Sequence, residues 1–113
     1  MSTQIKRWQD RIHGIKEELL ELGEIRPGAL SKQYNVCGKP VCRCKDPKKP
    51  KKHGPYYQLS YSHQGKSTTQ FVKKHMLAET RAQLKNYAKF RKLTEEWVAL
   101  SVNIAVAKKG AEG

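Results

Sequence analysis

The chain has 113 residues, 37% of them apolar, and 23 lysines and arginines against 10 acids, a formal net charge of +13. That length fits a single domain over 1–113, and no apolar run approaches a membrane span. The opening MSTQIKRWQD lacks a secretory core, so a cytoplasmic location is expected. The charge is uneven: four basic against five acidic side chains in 1–24, twelve against one (Asp46) in 25–78, and seven against four in 79–113.

In 1–24 the apolar residues Ile5, Trp8, Ile12, Ile15, Leu19 and Leu22 recur at alternating intervals of three and four. This predicts an amphipathic helix over 3–22, with Ser2 or Thr3 as its N-cap and Gly23 at its end. The stripe is expected to pack on the protein's own core. Pro27 and Gly28 suit the centre of a turn extending to Ala29. A short strand over 30–36 puts Leu30, Tyr34 and Val36 on one side. A loop broken by glycine and prolines follows. In 56–61, Tyr57, Leu59 and Tyr61 share one strand face, and 66–72 is rich in β-favouring residues. Ser62-His63-Gln64-Gly65 joins these two strands as a hairpin loop.

Residues 73–107 then read as one long helix, with 108–113 as a frayed tail. Phe90, Leu93, Trp97, Leu100, Ile104 and Ala107 again alternate by three and four, and no Pro or Gly falls in 73–109. A helix of about 50 Å needs cover along its length. The first helix folding back antiparallel would supply it, and so would a homodimer or partner protein through the same stripe. The expected fold is α+β: an N-terminal helix over 1–24, a three-stranded antiparallel sheet with a zinc-type loop over 25–72, and a long C-terminal helix.

The loop holds all three cysteines, Cys37, Cys42 and Cys44, followed by His53 in a C-x4-C-x-C-x8-H order. Three cysteines cannot all pair within one chain, and in a reducing compartment close spacing favours metal. Four thiolate or imidazole donors match a tetrahedral structural Zn(2+) site. Arg43 would point away between Cys42 and Cys44, and Gly38-Lys39-Pro40 can turn the first sulfur back. His63 could replace His53, but it belongs to a hairpin tip. His13 and His75 have the ordinary reading of surface helix residues.

Lys39, Arg43, Lys45, Lys48, Lys49, Lys51 and Lys52 crowd the same loop. Lysines on an extended segment meet successive phosphates as point charges without reading bases; the plainer alternative is a solvated loop. Tyr56 and Gln58 alternate away from the apolar face and are contact candidates, since aromatics beside lysines stack on unpaired bases. Lys66, just past the hairpin loop, is a further nucleic-acid-binding candidate. Lys73 and Lys74 open the long helix, where free N–H groups favour phosphate. Arg81, Lys85, Lys89 and Lys92 continue as a basic stripe three or four residues apart, for which a solvated face is an equal reading.

Residues 25–78 lack the carboxylate cluster that two-metal phosphoryl chemistry needs, and no catalytic Ser-His-Asp or Cys-His arrangement stands out. The chain is therefore expected not to be an enzyme.

The strings RPGALSKQYNVCGKPVCRC, KKHGPYYQLSYSHQGKSTTQFV and NYAKFRKLTEEW resemble an uncharacterised family of small bacterial and archaeal domains. Its pattern is CGxPxCxC, then HGPYY and GK. The resemblance covers roughly 25–100 and implies that the Cys37, Cys42, Cys44 and His53 set belongs to the family pattern, in a mobile-element or transposase context. The coarse α-β-β-β-α order is also similar to double-stranded RNA-binding domains and, in part, to integrase arm-binding domains. The expectation is a non-catalytic, zinc-stapled nucleic-acid-binding protein, with DNA the first partner, structured RNA the second, and no membrane. It would serve a mobile element as an accessory or regulatory factor. The alternatives are a helical interaction module that recruits a larger enzyme, and a redox switch at Cys42 and Cys44.

Overall fold

The computed structural model describes residues 3–35 and 53–112. Its elements are α1 (Thr3–Glu21), β1 (Ala29–Asn35), β2 (His53–His63), β3 (Lys66–Val72), a 3-10 turn (Lys74–Met76) and α2 (Leu77–Glu112). The strands form one antiparallel sheet in the order β1-β2-β3. The chain is thus α+β, with the expected helix, sheet and long helix. It divides into two compact units: residues 27–84 carry the sheet, and residues 1–26 with 85–113 carry the helices.

In the helical unit the two predicted stripes are the inward faces. Ile15 is fully buried and Leu93 is 5% exposed. The other stripe residues of α1 and of 90–107 are half-buried, whereas Leu20, off the stripe, is exposed. Arg11 of α1 reaches Glu96 of α2, Lys16 lies 5.2 Å from the Trp97 ring centroid, and Asn86 donates to the Glu24 carbonyl at 2.9 Å. Arg11 meets α2 at Glu96, and Glu24, just past the end of α1, meets it at Asn86, so the two run antiparallel. This is the fold-back anticipated as one way to cover the long helix.

The Arg11–Glu96 pair is a two-pronged fork: Nε donates to Oε2 at 2.7 Å and Nη2 to Oε1 at 2.9 Å. Nη1 also donates to Glu18 Oε2 at 3.2 Å. Such bidentate pairs fix geometry as well as charge. The hydrogen bonds from Arg11 hold the Glu96 carboxyl below its ordinary pKa, against the opposing effect of desolvation.

Three helix ends differ from expectation. Ser2, a candidate cap, lies outside the described residues, and Gly23 does not adopt the left-handed cap conformation, since the positive-φ glycines are 28, 54 and 65. The last turn of α1 instead closes with Leu22 N–H donating to Leu19 C=O at 3.2 Å. Gly23 supplies space, because a Cβ there would lie 3.2 Å from Asn86 Nδ2. The long helix begins at Leu77, not at 73: Lys73 is extended (φ −65, ψ 143), and a 3-10 turn intervenes. Its far end continues through Glu112. Gly110 costs only about 1 kcal/mol relative to alanine in an exposed helix, too little by itself to stop it. Among the described residues no helix is long and apolar enough to cross a membrane.

In the sheet unit, Leu59 at the centre of β2 is fully buried, with Leu30 and Gln70 as its strand partners. Leu77 and Thr80, on the first turns of α2, are the other buried side chains among the described residues of this unit. Arg81 stands 5.6 Å over the Tyr57 ring, so the start of α2 lies against this face at Tyr57. Gly28 (φ +133) lets β1 approach: a Cβ there would sit 2.8 Å from the Ser60 carbonyl and 2.9 Å from Leu59 Cδ1. The hairpin is tighter than the four-residue loop expected. His63 pairs with Lys66, leaving Gln64 (φ 51) and Gly65 (φ 76) as a two-residue loop with the double positive φ of a type I′ turn.

Candidate nucleic-acid interface

The register sorts the sheet into two unlike faces, because cross-strand partners project to the same side. One carries Leu30, Tyr57, Leu59, Tyr61 and Val72 and is the face on which Arg81 of α2 lies over Tyr57. The other carries Ala29, Ser31 and Gln33 of β1, Tyr56, Gln58, Ser60 and Ser62 of β2, and Ser67, Thr69 and Phe71 of β3. All ten are exposed except Gln58, which is half-buried. None is charged. Their hydroxyls pair across strands, Ser60 with Thr69 at 3.3 Å and Ser62 with Ser67 at 3.0 Å.

β2 is longer than its neighbours. It pairs with β3 only from Tyr57 onward, whereas its pairing with β1 begins at His53. The start of β2 therefore has no β3 partner, and β3 leaves the sheet beside it to enter the 3-10 turn. A depression of about 290 Å3 lies here, lined by Pro55, Tyr56, Tyr57, Phe71, Val72, Lys73 and Lys74. Gly54 (φ +134) makes the local backbone possible, since a Cβ there would meet the Gln33 carbonyl at 2.8 Å. The β1–β2 register slips at this point, between Gln33 and Asn35.

Tyr56, Lys73 and Lys74 are thus brought together as lining of one depression. Lys66 is not with them. It pairs with His63 at the turn end, about 20 Å from Val72 by strand rise, and alternation puts it on the opposite face from Tyr56. Arg81 lies over Tyr57 on the Leu59 face. Lys85, Lys89 and Lys92 are exposed along α2, in the helical unit. Cys37, Lys39, Cys42, Arg43, Cys44, Lys45, Lys48, Lys49, Lys51 and Lys52 lie outside the described residues. His53 opens β2, and its backbone pairs with Asn35, so these two residues form the base of the segment that carries the cysteines. Among the described residues no group of three or more His, Cys, Asp or Glu is placed to hold a metal.

Phe71 is the residue that sequence reasoning missed. It is 69% exposed and lines the depression. A signal was present: Phe71 and Val72 are adjacent in a strand, so only one can face the core. A two-residue hairpin loop then sets Phe71 opposite Gln58, on the Tyr56 side.

The electrostatics are one-sided. No Asp or Glu occurs from 47 to 78, a stretch that holds Lys73 and Lys74, so no carboxylate from that stretch offsets the two lysines beside the depression.

Compared with known proteins, residues 5–82 match a family described as a domain of unknown function, DUF6788. No curated protein matches the chain, and no solved structure does.

Proposed function

The chain belongs to the DUF6788 family, and we propose that it is a non-catalytic, zinc-stapled nucleic-acid-binding protein, an accessory or regulatory factor of a mobile element. One observation carries this reading: an uncharged, solvent-open sheet face ends in a depression lined by two exposed aromatics and by Lys73 and Lys74. The excess of twelve basic side chains over one acid in 25–78 supplies long-range attraction for a polyanion. Lysines as point charges grip phosphates without sequence preference, while Gln33, Gln58, Ser60 and Thr69 offer donors and acceptors to base edges. DNA is the first partner and structured RNA the second.

Binding through phosphates releases counterions, so the logarithm of affinity should fall linearly with the logarithm of salt. The double variant K73A/K74A should weaken binding and flatten that slope by up to about 2. Fluorescence anisotropy across a salt series checks both. An affinity indifferent to salt would sink the proposal.

Zinc fits the donor set. Cys37, Cys42, Cys44 and His53 supply three thiolates and an imidazole, the donor types of a closed structural site. All four lie in, or at the base of, the segment closed by the Asn35–His53 pair. The metal would tie that lysine-rich segment to the end of the sheet where Tyr56 and Lys73 stand.

A second reading has its own observation. Val98, Val102 and Val106 recur every fourth residue on α2 and are 62%, 54% and 66% exposed. With Thr94, Trp97, Ser101 and Ala105, the first two line a shallow apolar depression of about 470 Å3. Such a row suits a partner helix. Sedimentation with and without nucleic acid separates the readings: a self-associated species independent of nucleic acid favours the helical module.

A further inference from the structure

Resting on the nucleic-acid reading, we infer that Tyr56 and Phe71 form a stacking platform that selects unpaired bases, so that the preferred ligand is a single strand. Phe71 is a phenyl ring 69% exposed on a face otherwise made of hydroxyls, amides, one tyrosine and one alanine. It contributes nothing to the sheet's core, which lies on the other face around Leu59. Tyr56, 42% exposed, stands on the adjacent strand. The register puts Phe71 opposite Gln58, two residues from Tyr56, a diagonal spacing of about 7–8 Å. That is about twice the 3.4 Å rise of bases stacked on one another, so bases on the two rings would be held apart, on an extended and unstacked strand.

Charge selects the occupant. An apolar peptide would gain nothing from Lys73 and Lys74, which line the same depression, and an acidic one would gain no stacking. A nucleic-acid strand uses both, with bases on the rings and phosphates on the lysines. A duplex uses them poorly, because its bases are already stacked and hidden, and a phenyl ring makes no hydrogen bond to a base edge. Gln58, directly opposite Phe71, is placed to hydrogen-bond the edge of a base stacked there. The depression, at about 290 Å3, is at the small end of the ~300–1,000 Å3 typical of ligand pockets, suited to one or two planar rings.

The test uses the full chain and fluorescence anisotropy at low salt. A fluorescent single-stranded oligothymidine and a blunt duplex of equal length are compared. The single strand should bind tighter. F71A and Y56A should each weaken single-strand binding by about 5- to 150-fold and change duplex binding by less than about twofold. F71Y should retain affinity, while F71L, apolar but without a π-face, should lose it. Phe71 is exposed, so the melting temperature of F71A should match that of the parent chain. Tighter duplex binding, or an F71A variant that binds the single strand normally, overturns the inference and leaves the broader proposal standing. If neither oligonucleotide binds at any salt, the DNA reading of the broader proposal fails and this inference with it.

Discussion

Leu59→Ala is expected to destabilise the sheet unit by about 3–5 kcal/mol, the upper part of the range for leucine truncations in cores. The residue is fully buried on the central strand, with β1 and β3 on either side. Its surroundings cannot easily collapse into the space. Gly28 already brings β1 backbone against Leu59 Cδ1, and the ladder to Leu30 and Gln70 holds the strands apart. The described part of this unit has only Leu59, Leu77 and Thr80 as buried side chains, so little else shares the load. Whole small domains are stable by about 5–15 kcal/mol, and a loss of this size consumes much of that margin. Urea unfolding followed by circular dichroism and tyrosine fluorescence should show a midpoint well below the parent's, with F71A as the control on the opposite face. An unmoved midpoint would mean that Leu59 is not the centre of this core.

Metal removal is the second large effect. The zinc proposal predicts about one Zn(2+) per chain after purification under reducing conditions. Structural zinc in small domains contributes about 10–16 kcal/mol of apparent binding free energy, more than a core built around Leu59 and Leu77 supplies by burial at roughly 1.5–3 kcal/mol per side chain. A chelator, or Cys42→Ser, should therefore lower the melting temperature of the sheet. It should also weaken nucleic-acid binding, since Lys39–Lys52 would lose their attachment beside His53. Elemental mass spectrometry and a melt with and without chelator check this. A metal-free protein whose melt ignores the chelator would remove zinc from the account, and the Lys73–Lys74 depression would then stand alone.

Periodicity made most of the fold legible. The three-four stripes picked out Ile15 and Leu93 on the inward helix faces, and β3 has the boundaries read from KSTTQFV. What escaped was set by partners or by geometry distant in sequence. β2 begins at His53, not 56, because Gly54 and Pro55 look like breakers locally. Beside the register slip at Gln33–Asn35, however, a positive-φ glycine and a proline without an N–H are accommodated in the strand. Lys73 and Lys74 look helical, yet the chain leaves the sheet extended at Lys73 and needs one tight turn before α2. Val36, expected to end the first strand, lies outside the described residues. Of the candidate site, Tyr56, Lys73 and Lys74 were legible as contact candidates, but their convergence on one depression needed the strand register. Phe71 was hidden by β-propensity, which favours aromatics in strands whichever way they face.

The sheet has two outer strands, β1 and β3, and among the described residues neither pairs on its outer side. Unpaired strand edges are templates for other copies of a chain. The expected protection is colloidal: molecules with a net charge of +13 should repel one another before their edges can meet. Repulsion of this kind is screened over about 8 Å at physiological ionic strength, and a bound polyanion cancels it outright. Light scattering by the free protein should rise with salt, and scattering by the complex should peak near charge equivalence. Flat scattering in both titrations would mean that the edges are guarded by something other than charge.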